Sequence, residues 1–334
     1  MNALSELPEK DKDLLLPLIL MRGWVGAAKL QNSLDKVEEV YGDRPWLVDI
    51  DLEYRASEKV RPVHTSLNEL KISDNGYHNW CEFITNLPNA IPCLQLMDLN
   101  QLAPQIATLA NLGRGIAVRI VPEMLPGINH ITNALSSAQG LNPLVVFDFG
   151  QENRDLLTKV ATTIPIVQNI HTALPGASIV VCATTFPSSF VGLPDQEIFE
   201  RNFFNMVRDN CPGIQLIYGD RGSARAEKQG GGGGVPAPRI DYPLVNVWKF
   251  FRKDEPKPQG YFNAAAELVA SDSWDPNLKI WGTQWIERTA KGDVYAISSP
   301  AKSTAVRINI HMHLQLHYGA PLEEVLDTDD EWED

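Results

Sequence analysis

Charged side chains recur at the ends of short apolar runs, where a hydrophobic segment has no packing use for them. They are Arg22; Asp49, Asp51 and Glu53; Asp98; Arg119 and Glu123; Asp148; Asp220 and Arg221; and Lys249 with Arg252, with the neutral Asn100, Thr184 and Thr185 among them. Burying an unpaired charge is expensive, so each must pair with a neighbour or bind something. In the first case the charges form an ion-pair lattice that props open one end of the fold. In the second, Asp51, Asp148 and Asp220 hold a divalent cation such as Mg or Mn, because hard cations select oxygen ligands. Arg22, Arg119 and Arg221 would then receive phosphate oxygens in fork-shaped contacts. On that reading Asp148, Asp220, Arg119 and Arg22 are the catalytic candidates of a metal-assisted phosphoester or nucleotide hydrolase.

Other reactive residue types are less organised. Ser188 and Ser189 lack a G-x-S-x-G context. Cys81, Cys93, Cys182 and Cys211 are widely spaced and contain no C-x-x-C pair, so they are expected to be reduced and buried. Residues 307–317 alternate, with Arg307, Asn309, His311, His313, Gln315 and His317 on one side and apolar residues on the other. That period of two predicts a strand with a polar, hydrogen-bonded face. The His-x-His pair within it is a zinc-type spacing that lies outside the main repeat. Trp281 and Trp285, four apart beside Lys279 and Arg288, suit packing or a peptide or base contact. The candidate binding residues are Arg221, Arg239, Tyr242, Lys249, Arg252, Trp281 and Trp285.

What must position these groups is a series of eight apolar runs: residues 16–22, 46–52, 93–99, 116–122, 144–150, 178–186, 214–222 and 245–253. Most are too continuously apolar for one wet face, which predicts parallel strands covered by helices. Their ends are spaced by about 33 residues on average, close to the roughly 31 per unit of an eightfold barrel. Helical periodicity falls between them at residues 27–41, 101–112 and 196–210, the last with Asp195 as N-cap and Ile198, Phe199, Phe203 and Met206 inward. The fold class expected is therefore α/β, an eightfold (β/α) TIM-like barrel over residues 14–270. A lead-in (1–13) precedes it, and a C-terminal extension (271–320) adds a β-hairpin from residues 293–299 and 306–318. A glycine-rich loop (223–238, with five consecutive glycines at 230–234) and an acidic tail (321–334) complete the expected organisation.

Composition narrows the function classes. With 334 residues, 44% hydrophobic and 21% charged, the chain can bury a large core. Its formal net charge of −13 opposes general nucleic-acid binding. Neither a membrane-spanning run nor a signal-peptide pattern is present, so a cytoplasmic location is expected.

Several local patterns occur together. Residues 16–30 read L-P-L-I-L-M-R-G-W-V-G-A-A-K-L; T-F-P stands at 185–187, I-Y-G-D-R-G at 217–222, R-I-D-Y at 239–242 and V-W-K-F-F-R at 247–252. In order and spacing, over about residues 14–318, the chain resembles the beta protein family of satellite phages, prophages and bacterial genomes. That family's opening strand carries Lys-x-Lys-x-Gly-Glu; here Arg22 stands at the second Lys, and Trp24 and Val25 replace the Gly-Glu pair. The resemblance implies a (β/α) barrel and a part in anti-phage defence or phage exclusion, with a phage-derived protein or a defence-system subunit as partner.

Overall fold

The computed structural model describes residues 2–23, 28–54, 61–138, 140–224 and 237–328. Its strands are β1 (Leu18–Met21), β2 (Trp46–Ile50), β3 (Ala90–Pro92), β4 (Ala117–Ile120), β5 (Leu144–Gln151), β6 (Ser178–Thr184), β7 (Asp195–Glu197), β8 (Leu216–Asp220), β9 (Arg239–Pro243) and β10 (Val247–Arg252). The helices are α1 (Asn2–Ser5), α2 (Glu9–Leu14), α3 (Gln31–Tyr41), α4 (Pro62–Glu69), α5 (Asp74–Thr85), α6 (Leu102–Ala110), α7 (Ile128–Ser136), α8 (Val160–Ala173), α9 (Phe199–Asp209), α10 (Gln259–Val269), α11 (Trp281–Ala290), α12 (Pro300–Leu316) and α13 (Leu322–Leu326). No described helix is long and apolar enough to cross a membrane.

The strands form a parallel sheet β1-β2-β3, a parallel sheet β4-β5-β6-β8 and an antiparallel sheet β7-β10-β9. A single bridge from Cys93 to Ala117, with Leu94 N–H donating to the Ala117 carbonyl at 2.9 Å, links the two parallel sheets. The expected closed eightfold barrel is not found: among the described residues no ladder joins β8 to β1. The eighth run explains part of the difference. Residues 245–253 contain β10, which turns back on β9 through a tight connection, Leu244 N–H donating to the Val247 carbonyl, and so pairs antiparallel. A hairpin cannot supply the parallel partner that closure needs. The third run is also displaced, since its ladder covers Ala90–Pro92, the bridge adds Cys93 with the Leu94 N–H, and residues 95–99 leave the sheet.

Alternation along the parallel strands sets two faces. Val48, Ile50, Val118, Ile120, Val145, Phe147, Ile179 and Val181 belong to the main core shared with the flanking helices. The opposite face gathers Leu47, Cys93, Ala117, Val146 and Cys182 into a small dry cluster. Space there is scarce: a Cβ on Gly219 of β8 would lie 2.9 Å from Val180 Cγ1, so a side chain at that position would clash. All four cysteines are buried and unpaired.

The largest departure lies at residues 300–316, which form helix α12 and not the second strand of a hairpin; residues 293–299 hold no strand either. Ser299 caps the helix by accepting from Lys302 N–H, and Pro300 occupies its first turn, where a missing N–H costs nothing. A two-residue step turns a helix by about 200°, so the alternating polar residues divide into two nearly opposite stripes. Ser303, Arg307, His311 and Gln315 make one; Asn309, His313 and His317 make the other. Nearly all are buried. Alternation is therefore compatible with a helix enclosed on both sides, provided each polar group finds a partner.

They do. The first stripe meets the sheets: Ser303 donates to the Arg239 carbonyl, Arg307 to Asp241 and Gln315 to the Val245 carbonyl. The second meets the N-terminal helices, where Asn309 Nδ2 donates to the carbonyls of Ala3 and Glu6 at 3.2 and 3.0 Å. Its Oδ1 accepts from Gly282 N–H on α11. Val306, Ile310 and Leu314 fill a second core with Ile240, Tyr242, α10 and α11. The glycine-rich segment at residues 225–236 and the tail from residue 329 lie outside the described residues.

Asn309→Ala would orphan two carbonyls and one N–H at a fully buried position. The expected cost is about 2–3 kcal/mol of unfolding free energy, read by urea denaturation; an unchanged midpoint would mean that this polar seam does not hold the N-terminal helices.

Candidate functional site

Asp49, Arg119 and Asp148 share the face of the small dry cluster, one step nearer the C-terminal strand ends than Leu47, Ala117 and Val146. Their positions follow from register: Arg119 pairs with Val146, and Asp148 with Cys182, which in turn lies beside Gly219. Asp148 Oδ2 accepts from Arg119 Nε at 2.8 Å and from Arg221 Nη2 at 2.7 Å, while its Oδ1 accepts from Gly150 N–H. One buried carboxylate thus stands between two guanidiniums. Asp49 is the weaker partner of Arg119, at 3.5 Å, and is held by Gln95 and by the Ile50 N–H. Burial pushes the Asp49 carboxyl up despite the Arg119 charge. Burial alone would lower Arg119, but Asp148 and Asp49 outweigh it and raise the guanidinium above its ordinary value.

Asp220 stands elsewhere. It pairs with Ala183, one position out of phase with Asp148, Cys182 and Gly219, so its side chain leaves by the opposite face of β8. There Oδ2 lies 2.6 Å from His311 Nε2 and accepts from Tyr218 Oη at 2.8 Å, and Oδ1 accepts from Gly222 N–H. Burial opposes ionisation, but the His311 charge and these hydrogen bonds prevail and hold the Asp220 carboxyl down at about 2. Trp248 stacks on His311 with ring centroids 4.8 Å apart. Glu200 at the start of α9 accepts from Thr185 Oγ1, and burial pushes its carboxyl up.

Among the described residues, three buried polar atoms of this neighbourhood, Glu200 Oε1, Trp248 Nε1 and His311 Nδ1, have no hydrogen-bond partner; Thr184 Oγ1, Arg221 Nε, Arg114 Nε and Asn205 Oδ1 complete the set. Such groups carry unmet bonding capacity.

The remaining sequence candidates are dispersed. Arg22 is largely exposed and approaches Asp51 at 3.8 Å. Asp51, Asp148 and Asp220 do not converge on one point: among the described residues the one group of three or more His, Cys, Asp or Glu donors that does is Asp11, His313 and His317. Arg239 pairs with Asp241 and lies over Phe190. Tyr242 is buried against Trp274, which pushes its phenol up to about 12. Lys249 pairs with Asp195 at 2.9 Å, so Asp195 serves β7 and not the N-terminus of α9, which begins after Ile198. Arg252 approaches Asp254 at 3.6 Å. Trp281 is buried in the second core beside Trp285, and Lys302 lies over the Trp285 ring.

Sequence reasoning missed Glu200 and the setting of His311. Glu200, Phe203, Phe204 and Val207 follow helical spacing, and all four are buried, whereas Met206 is exposed. A carboxylate on that apolar stripe was the available signal.

Two outcomes are expected. Asp148→Ala leaves two guanidiniums facing one another and should cost about 3–5 kcal/mol in denaturant unfolding. For Asp220, a folded value below the ordinary 3.8 stabilises the fold above that pH, and the gain fades as pH falls from 3.8 to about 2. Its size is about 2 kcal/mol. Asp220→Asn should remove that part of the acid dependence; an identical profile in wild type and variant would refute the assignment.

A family profile described as Beta protein matches residues 1–317. Protein beta of Enterobacteria phage P4 is 31% identical over 344 aligned residues, covering 99% of this chain and 94% of that protein. No solved structure matches the chain.

Proposed function

Given that the chain belongs to the Beta protein family, we propose that it acts in phage exclusion or anti-phage defence by recognising a phage-derived protein or a partner subunit. The contact surface in this reading is the face where the parallel strands end, together with the C-terminal helices. The observation that carries it is the internal pairing of the strand-end charges. Asp148 is occupied by Arg119 and Arg221, and Asp220 by His311, Tyr218 and the Gly222 N–H, so these carboxylates do not present a shared set of free oxygens. A lattice neutralised from within gives a rigid floor and leaves recognition to its rim.

That rim supplies apolar material. Met97, in the segment after β3, is 66% exposed, and Val191, in the segment after β6, is 82% exposed. Exposed aliphatic groups around a polar floor suit a protein partner better than a small anion. The phage origin of the 31% identical relative agrees with a partner met during infection. A metal-assisted phosphoester hydrolase is the competing reading and draws on Arg119 and Arg221, two guanidiniums that meet at Asp148 and belong to the residue type that binds phosphate in a fork.

The two readings diverge in one experiment. Tagged chain is expressed in a host challenged with phage, and both plating efficiency and co-purifying protein are measured. Recognition requires one defined protein in stoichiometric amount, unchanged by added or withheld magnesium or manganese and retained by Asp51→Asn. Met97→Glu and Val191→Glu should each reduce capture and exclusion by about tenfold or more. Exclusion that needs magnesium or manganese, is lost in Asp51→Asn and survives both rim changes would instead establish the hydrolase.

A further inference from the structure

The second polar stripe of α12 ends at a cluster that the strand-end site does not use. Asp11 of α2 faces both His313 and His317: Oδ2 lies 2.7 Å from His313 Nδ1, and Oδ1 lies 2.9 Å from His317 Nε2. Asp11 and His313 are fully buried and His317 nearly so. The donor atoms of all three residues lie within 4.8 Å of one another.

Hydrogen-bond logic restricts what His313 can be. Its Nε2 sits 2.8 Å from the Val325 carbonyl oxygen, which only accepts, so Nε2 carries its hydrogen. In a neutral ring the lone pair is then on Nδ1, aimed at Asp11 Oδ2. An ionised carboxylate also only accepts. Two lone pairs would face each other across 2.7 Å, so a cation belongs between them, either a proton or a metal ion.

Several features select the metal. Two histidines four apart on one helical turn are a recurrent zinc-ligand pair, with the carboxylate as third donor. Histidines that bind metal commonly donate the remaining ring N–H to a backbone carbonyl, which fixes the tautomer, and His313 does this towards Val325. Mixed imidazole and carboxylate donors suit zinc or cobalt(II) better than magnesium or calcium, which prefer all-oxygen shells.

We propose that Asp11, His313 and His317 bind one zinc-class divalent cation, which clamps α2 against the C-terminal end of α12. To reach zinc bond lengths of about 2.0–2.2 Å, the two short Asp11–histidine contacts must widen while the donor atoms, all within 4.8 Å of one another, turn towards a common point. The ion joins residues 302 and 306 positions apart in the chain. It is a structural clasp, and its three ligands are not among the strand-end or rim residues invoked for recognition above.

The test uses the full-length chain with zinc(II) and cobalt(II) as probes. Wild type should bind one equivalent of zinc per chain, and its cobalt form should show the intense visible absorption of four-coordinate nitrogen and oxygen ligation. Stripping the metal should lower Tm by several degrees, and zinc should restore it. Asp11→Asn and His317→Gln should weaken zinc binding by about tenfold or more, while the exposed-site control His78→Gln binds as wild type does. Failure of wild type to take up stoichiometric zinc or cobalt would overturn the proposal whatever the variants do. So would undiminished binding in folded Asp11→Asn and His317→Gln.

Discussion

A helix enclosed on two opposite sides and polar on both must find a partner for each polar residue it buries, and α12 imposes that condition on the whole molecule. Ser303, Arg307, His311 and Gln315 require acceptors or donors from β9, β8 and the turn after β9; Asn309, His313 and His317 require them from α1, α2 and the segment at Val325. Leaving one unmet costs the desolvation of a buried polar group. The helix therefore works as a jig. Elements distant in the chain are accepted only where their hydrogen-bonding groups meet it, and Gly282 on α11 is bare because a Cβ would lie 2.5 Å from Ile310 Cγ1.

The strand-end charges obey the same rule in a drier setting. Asp148 is buried beside a sheet face of Cys93, Ala117, Val146 and Cys182, and two guanidiniums reach it there. Buried ion pairs of this kind contribute modestly to net stability, since desolvation offsets most of the attraction. Their stronger effect is geometric. Arg221 can reach Asp148 only if β8 keeps its register with β6, so the pair fixes that register, and the same register sends Asp220 to the far side and into the hand of His311.

Much of this was legible in the sequence, and the failures have identifiable causes. Apolar runs bounded by charge marked β1, β2, β4, β5, β6 and β8, because parallel strands buried on both faces read as continuous hydrophobicity. The list of strand-end charges also named Arg119, Asp148 and Arg221, which do meet. The expected barrel failed at β10, where hairpin formation with β9 depends on a short turn that an apolar run does not reveal. Alternation at residues 307–317 misled for a geometric reason: a period of two places polar groups on one side of a strand but on opposite sides of a helix, and only a doubly buried helix makes the second useful. Grouping Asp220 with Asp148 failed because the two strand ends differ by one residue in phase, and phase is a property of pairing.

The seam between Asn309 and the carbonyls of Ala3 and Glu6 also bears on the order of events during synthesis. The first helices leave the ribosome with their partners still about 300 residues from being translated. Until α12 emerges, Leu4 and Leu7 can reach only part of the environment that later encloses them. Maturation must then finish late, in a step of high contact order, and a nascent chain halted before residue 309 would keep its leading end undocked.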